Sequence, residues 1–140
     1  MLLLDLSAFA RLTRPVLTTE RTEQVARWMR DGELGVCLPF LLEAGYSARS
    51  GSDHRTLLSR LALLPRVAVS EAVERAALSA QARLASAGHH RLAPSDVIIA
   101  ACAQEAGAGV LHYDADYDHL AERSGLRFHS EWLAPRGSLA

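Results

Sequence analysis

Residues 92–118 read LAPSDVIIAACAQEAGAGVLHYDADYD, and this stretch decides the fold. Pro94 and Ser95 open a helix, and the run from Val97 to Ala103 is apolar on every face, so that helix belongs inside the protein. It ends near Gly107. Val110–Tyr113 then reads as a short strand without polar alternation, and three acids, Asp114, Asp116 and Asp118, close the stretch. A strand of that kind is buried on both faces, which is the signature of a parallel sheet.

The same grammar extends outward in both directions. Leu2–Leu4 is a short apolar run broken by Asp5, which fits a buried first strand. Ser7 caps a short helix through about Thr13, ended by Pro15; Thr18 or Thr19 caps a second, in which Val25, Trp28 and Met29 share a face before Asp31-Gly32 stops it. Leu34–Leu38 is a second strand. Pro39 begins a helix carrying Phe40, Glu43 and Tyr46, Asp53 caps another to Leu64, and Arg66–Val69 is a third strand. Ser70-Glu71 opens a long helix that closes at Gly88. Beyond the opening stretch, a helix from about Asp116 to Arg123 stops at Gly125, and Leu126–Phe128 is a candidate last strand. Strands alternating with helices specify a three-layer α/β/α fold with a central parallel sheet of four to five strands, expected as one domain over residues 1–140.

Composition narrows the chemistry. The chain has 140 residues, 49% of them hydrophobic and 22% charged, as in an ordinary globular protein. Twenty-four Ala and 23 Leu favour helix. All 15 basic residues are Arg, so a Walker-type phosphate loop and Schiff-base chemistry, both of which need Lys, are excluded. A formal charge of −1 argues against a general polyanion-binding surface. Cys37 and Cys102 lie in apolar runs without paired spacing and read as small buried hydrophobes in a reducing compartment. The start MLLLDLSAF lacks the basic residues of a signal peptide, and no apolar run approaches the ~20 residues of a membrane span, so a cytoplasmic protein is expected.

Ligands of open parallel sheets bind beyond the carboxyl ends of the strands. Asp5 follows the first strand there and Asp114 the fourth, while Glu43 and Asp96 lie on helices that reach the same rim. Each acid has an ordinary reading as well: Asp96 serving the helix dipole, Asp5 ending a strand as a loop residue, Glu43 facing solvent. Four carboxylates in one pocket, however, repel one another unless a cation holds them, and carboxylates without a Cys or His cluster suit Mg²⁺ or Mn²⁺. Such a cation activates water for attack on a phosphodiester. Among the three clustered acids, Asp114 is expected first past the strand. Asp116 is expected to reach a metal only through water or a tight turn, and Asp118 to serve the dipole.

The order of elements and acids resembles the PIN-domain proteins of the VapC-like toxin group, the ribonuclease half of bacterial toxin–antitoxin pairs. LLLDLSAF, LLEAGYSAR, LAPSDVIIAACA, VLHYDADYDHLAE and EWLAPRGSL carry the resemblance across Leu2 to Leu139. It implies a metal-dependent endoribonuclease whose catalytic acids are Asp5, Glu43, Asp96 and Asp114. The metal ligands would be Asp5, Asp96, Asp114 and Asp116, with Mg²⁺ or Mn²⁺ as cofactor. Ser7 stands where the family has a small hydroxyl residue beside the metal. His112 departs from the hydroxyl residue usual before the fourth acid; an imbidazole there either replaces that hydroxyl in orienting Asp114 or faces the phosphate. The resemblance also implies an antitoxin partner packed near the helices of residues 7–31 and 53–64, an RNA substrate and a homodimer, with no membrane and no nucleotide cofactor.

Other residues are less telling. His54, His89, His90, His119 and His129 show no metal-ligand spacing and read as scattered surface residues. Arg11, Arg14 and Arg49 are candidates for the RNA backbone; Trp28, Tyr46, Tyr113 and Trp132 for stacking on bases, Trp28 more as core. Two other readings remain open. One is a catalytically silent PIN-like protein-binding module. The other is a different phosphoryl-transfer enzyme on an α/β fold, disfavoured by the missing Lys.

Overall fold

A computed structural model describes residues 1–12, 15 and 17–139. Strands β1 (Leu2–Leu4), β2 (Leu34–Cys37), β3 (Arg66–Val67), β4 (Gly109–His112) and β5 (His129–Trp132) form one sheet of order β3-β2-β1-β4-β5. Every neighbouring pair is parallel. Between the strands run helices α1 (Leu6–Phe9), α2 (Thr19–Arg30), α3 (Leu38–Tyr46), α4 (Gly51–Leu61), α5 (Glu71–Ser86), α6 (Pro94–Ala106) and α7 (Asp116–Arg123). Among the described residues no helix is long and apolar enough to cross a membrane.

All four residues of β2 and of β4 are buried, as helices on both faces of the sheet require. Helix α6 is the inner one. Its Val97, Ile99, Ala100, Ala101, Cys102 and Ala103 are buried, and it packs on β1, β4, α3, α5 and α7. Cys37 and Cys102 are free and buried in this core, in keeping with their reading as small hydrophobes. Gly107 closes α6 at φ +62°, a left-handed turn that a glycine enters without a Cβ penalty.

Several boundaries differ from the sequence reading, each for a local reason. Helix α1 stops at Phe9, four residues before Thr13, which lies outside the described residues. Strand β2 ends at Cys37, because Leu38 already opens α3 with Pro39 in its first turn. Ser50, not Asp53, caps α4, its hydroxyl accepting from the Asp53 N–H at 3.0 Å. Strand β3 is only Arg66–Val67. Strand β4 starts at Gly109 and ends at His112, so Asp114 is two residues past it instead of one. The last strand is His129–Trp132 and not Leu126–Phe128: Leu126 and Phe128 pack inward along the approach, while the polar segment HSEW pairs with β4 at the sheet edge. Arg21 clamps that edge to α2, donating to Glu131 Oε2 at 2.8 Å and to the Trp132 and Leu133 carbonyls.

The chain builds β1, β2 and β3 outward on one side and then returns to place β4 on the other side of β1. The gap between the carboxyl ends of β1 and β4 is therefore the topological switch point, where open α/β sheets form their crevice. Gly109 lies in register between Leu2 and His129. A Cβ there would meet the His129 carbonyl oxygen at 2.7 Å and Leu2 Cδ2 at 2.8 Å. Gly109→Ala is expected to lower stability by about 1–3 kcal/mol through that backbone clash. Gly88→Ala, at φ +78° but with open space, should cost only about 1 kcal/mol. Urea unfolding of the two variants measures the order.

Candidate active site

The switch point gathers the acids. Asp5 leaves the end of β1 and caps α1, and Asp96 stands in the first turn of α6; both are buried, at 4% and 7% exposure. Asp114 follows β4, and its Oδ1 accepts from the Asp116 N–H at 3.0 Å. This local turn swings Asp116 back toward the sheet. As a result one carboxylate oxygen from each of Asp96, Asp114 and Asp116 lies within 4.8 Å of the others. Glu43 sits half-buried on α3 and makes no side-chain hydrogen bond among the described residues, but its charge reaches Asp96.

Asp5 stands outside that trio and is joined to it by Tyr117. The Tyr117 phenol donates to Asp5 Oδ1 at 2.7 Å and lies 3.3 Å from Asp96 Oδ1. Burial and the charges of Asp5 and Asp96 push the phenol well above its ordinary pKa, so it remains a donor. Tyr117 did not stand out in the sequence, where it sits inside the polar run DADYD. The only signal is its spacing of three from Leu120, which puts both on the inward face of α7. The other oxygen of Asp5 accepts from the Ser7 N–H at 2.9 Å and from the Ser7 hydroxyl. Ser7 Oγ in turn accepts from the Tyr113 N–H at 2.9 Å, stitching the ends of β1 and β4 together.

His112 is fully buried. Its Nδ1 accepts from the Asp114 N–H at 3.1 Å, which anchors the backbone at Asp114. Nε2–H is then left to donate to Ser130 Oγ at 2.7 Å, and Ser130 donates to Asp118 Oδ1 at 2.8 Å. Burial holds His112 below its ordinary pKa against the pull of Asp118 and Asp5, consistent with a neutral ring. Trp132 Nε1 donates to the second Asp118 oxygen at 2.9 Å. Asp118 stands in the first turn of α7, as expected for a residue serving the helix dipole, and it is also the acceptor that ties α7 to β5.

Charge is concentrated here. Burial, then Asp5, then Asp114 push Asp96 up to about 7, and burial with Asp114 raises Asp116 as well. Carboxylates held together at this cost are hard oxygen donors suited to a divalent cation, which would relieve the repulsion.

The remaining candidates fall differently. Arg11 turns inward, donating to the Ser7 carbonyl at 2.8 Å with its guanidinium over the Tyr113 ring. Arg14 lies outside the described residues. Arg49 is exposed, and its backbone N–H bonds Asp53. Trp28 packs against the core under Arg21, Tyr46 is exposed, and Tyr113 and Trp132 stack edge-on, with the Tyr113 hydroxyl docking Leu139. The histidines are less scattered than their spacing suggests: His89, His90 and His119 line a single cleft with Arg91, Asp116 and Arg123.

The family model described as the PIN domain matches residues 2–123. Ribonuclease VapC18 of Mycobacterium tuberculosis is 35% identical over 141 residues, covering 96% of this chain and 96% of its own. Ribonuclease VapC51 of the same species is 33% identical over 137 residues, covering 98% and 96%. In fold, the chain is similar to the DNA-bound VapBC from Salmonella typhimurium, with a TM-score of 0.71 at 19% identity over 96% of this chain and 100% of that one.

Two outcomes follow from the site's electrostatics and bonding. Asp96 binds its proton more tightly folded than unfolded, so in chelator the protein should lose stability as pH rises from the ordinary 3.8 to about 7. Asp96→Asn should abolish that fall and stand roughly 2–4 kcal/mol above the wild type beyond it. Thermal unfolding across the pH series tests this; a wild type that gains stability over the window contradicts it. Asp118→Asn aims an amide N–H₂ at a donor and should cost about 1–2 kcal/mol, measured by urea unfolding.

Proposed function

The chain belongs to the PIN-domain family, within its VapC group, and on that premise we propose that it is a divalent-metal-dependent endoribonuclease, the toxin of a type II toxin–antitoxin pair. The observation that carries the reading is the convergence of Asp96, Asp114 and Asp116 within 4.8 Å at the switch point, with Asp5 bound to the same phenol as Asp96. The donor set is all carboxylate and so fits Mg²⁺ or Mn²⁺.

In this reading Asp96, Asp114 and Asp116 would hold the cation, with Asp5 joined to the group through Tyr117. When bound, the cation lowers the pKa of a coordinated water and neutralises charge on a phosphoryl oxygen. Tyr117 keeps the Asp5 and Asp96 carboxylates at fixed spacing, and Ser7 locks the Asp5 rotamer against the end of β4. His112 fixes the backbone from which Asp114 projects. Glu43, half-buried on α3, would serve to orient the attacking water.

An antitoxin supplies the control. The cleft between α3 and α4 is lined by Leu38, Leu42, Tyr46 and Leu58, of which Tyr46 is 93% and Leu42 64% exposed. Met29 on α2 is also exposed. These apolar surfaces suit an amphipathic antitoxin segment, and a homodimer accounts for further apolar helix surface.

Asp5→Asn and Asp96→Asn should each reduce RNA cleavage by about 100-fold or more while circular dichroism stays unchanged. The assay is cleavage of single-stranded RNA with Mg²⁺ or Mn²⁺ by purified protein. Full activity in either folded variant contradicts the assignment.

A further inference from the structure

The loop between α5 and α6 carries His89, His90 and Arg91 to the end of α7, where they meet His119 and Arg123 around a cleft of about 360 Å³. One wall of that cleft is Asp116, a member of the carboxylate trio, so the cleft adjoins the acidic rim through that residue. The whole chain has a formal charge of −1, which makes this basic cluster a local feature.

Its arginines are free to bind. Arg123 Nη1 lies 3.0 Å from His89 Nε2 and 3.4 Å from its Nδ1, so the imidazole ring positions the guanidinium. Arg91 has no side-chain hydrogen bond or ion pair among the described residues, and neither arginine has a carboxylate within salt-bridge distance among them. Two unpaired guanidiniums in a recess call for an oxyanion, because their planar N–H forks match a phosphate bidentately. A ligand that meets a cation centre on one side of Asp116 and two guanidiniums on the other carries anionic groups in series. A single-stranded nucleic-acid backbone has that character.

We propose that the cleft between the α5–α6 loop and α7 is a phosphate subsite, in which Arg91 and Arg123 grip the RNA backbone beside the scissile bond. The inference rests on the endoribonuclease reading and deepens it. His89 is a positioning residue that holds Arg123, and His90 offers an exposed ring at the mouth.

The experiment compares wild type, Arg91→Gln, Arg123→Gln and, as a control, Arg75→Gln near the opposite end of α5. Steady-state cleavage of a single-stranded RNA oligonucleotide is measured with Mg²⁺. Binding of the same RNA, fluorescently labelled, is measured in chelator across a salt series. The two subsite variants should raise KM about 10-fold with kcat nearly unchanged, and each should flatten the salt dependence of binding by about 0.7 in slope. Arg75→Gln should match wild type. If wild type cleaves RNA but the subsite variants match Arg75→Gln in KM and salt slope, the subsite is wrong and the nuclease reading stands. If wild type neither binds nor cleaves RNA, both fall. If single-stranded DNA of the same sequence is bound more tightly than RNA with the same arginine dependence, the cleft is overturned as an RNA subsite.

Discussion

One phenol holds two buried carboxylates. Tyr117 shares its hydroxyl between Asp5 at the end of β1 and Asp96 at the start of α6, two elements on different sides of a sheet crossover. Buried acids brought together without a shared donor would protonate or move apart. With it they stay at the rim, and the cost appears in Asp96, pushed up to about 7. Everything else at the rim is arranged around that constraint: Ser7 takes the second oxygen of Asp5, and the turn after β4 adds Asp114 and Asp116. The repulsion that remains is what a divalent cation would relieve.

A second network fixes the other wall. His112, Ser130, Asp118 and Trp132 form a chain of hydrogen bonds from the Asp114 backbone to the edge strand β5. The chain is buried or half-buried throughout, and the His112 ring packs between Tyr117 and Trp132 at 4.8 and 5.0 Å. An imidazole with one accepting and one donating nitrogen can link a backbone N–H to a serine hydroxyl, which a hydroxyl residue at 112 would be too short to do in the same way. The polar residues of β5 thus support the acid site from behind, although the strand contributes no acid to the trio.

How much of this was legible depended on whether a residue broke a pattern. Asp5 interrupts an apolar run and Asp96 stands immediately before one, so their expected place at the rim and the inner position of α6 could be read directly. Asp114, Asp116 and Asp118 form one polar run, and nothing in that run tells the turn that recruits Asp116 from the bonds that commit Asp118 to β5. Tyr117 was hidden in the same run. Strand β5 was placed three residues early, on the apolar Leu126–Phe128, because Trp132 is the one apolar residue of HSEW; its pairing to β4 is supported by hydrogen bonds from Arg21 to the Trp132 carbonyl and from the Trp132 indole to Asp118. The convergence of His89, His90 and His119 joins segments about thirty residues apart, which spacing alone cannot reveal.

If the carboxylate rim is a divalent-cation site, calorimetric titration with Mn²⁺ near neutral pH reveals it. The account requires saturable binding to the wild type that is lost in Asp114→Asn and retained in Asp118→Asn, since the first acid belongs to the trio and the second is bonded to Ser130 and Trp132. Absence of saturable Mn²⁺ binding to folded wild type, or binding that survives Asp114→Asn and disappears in Asp118→Asn, would contradict it.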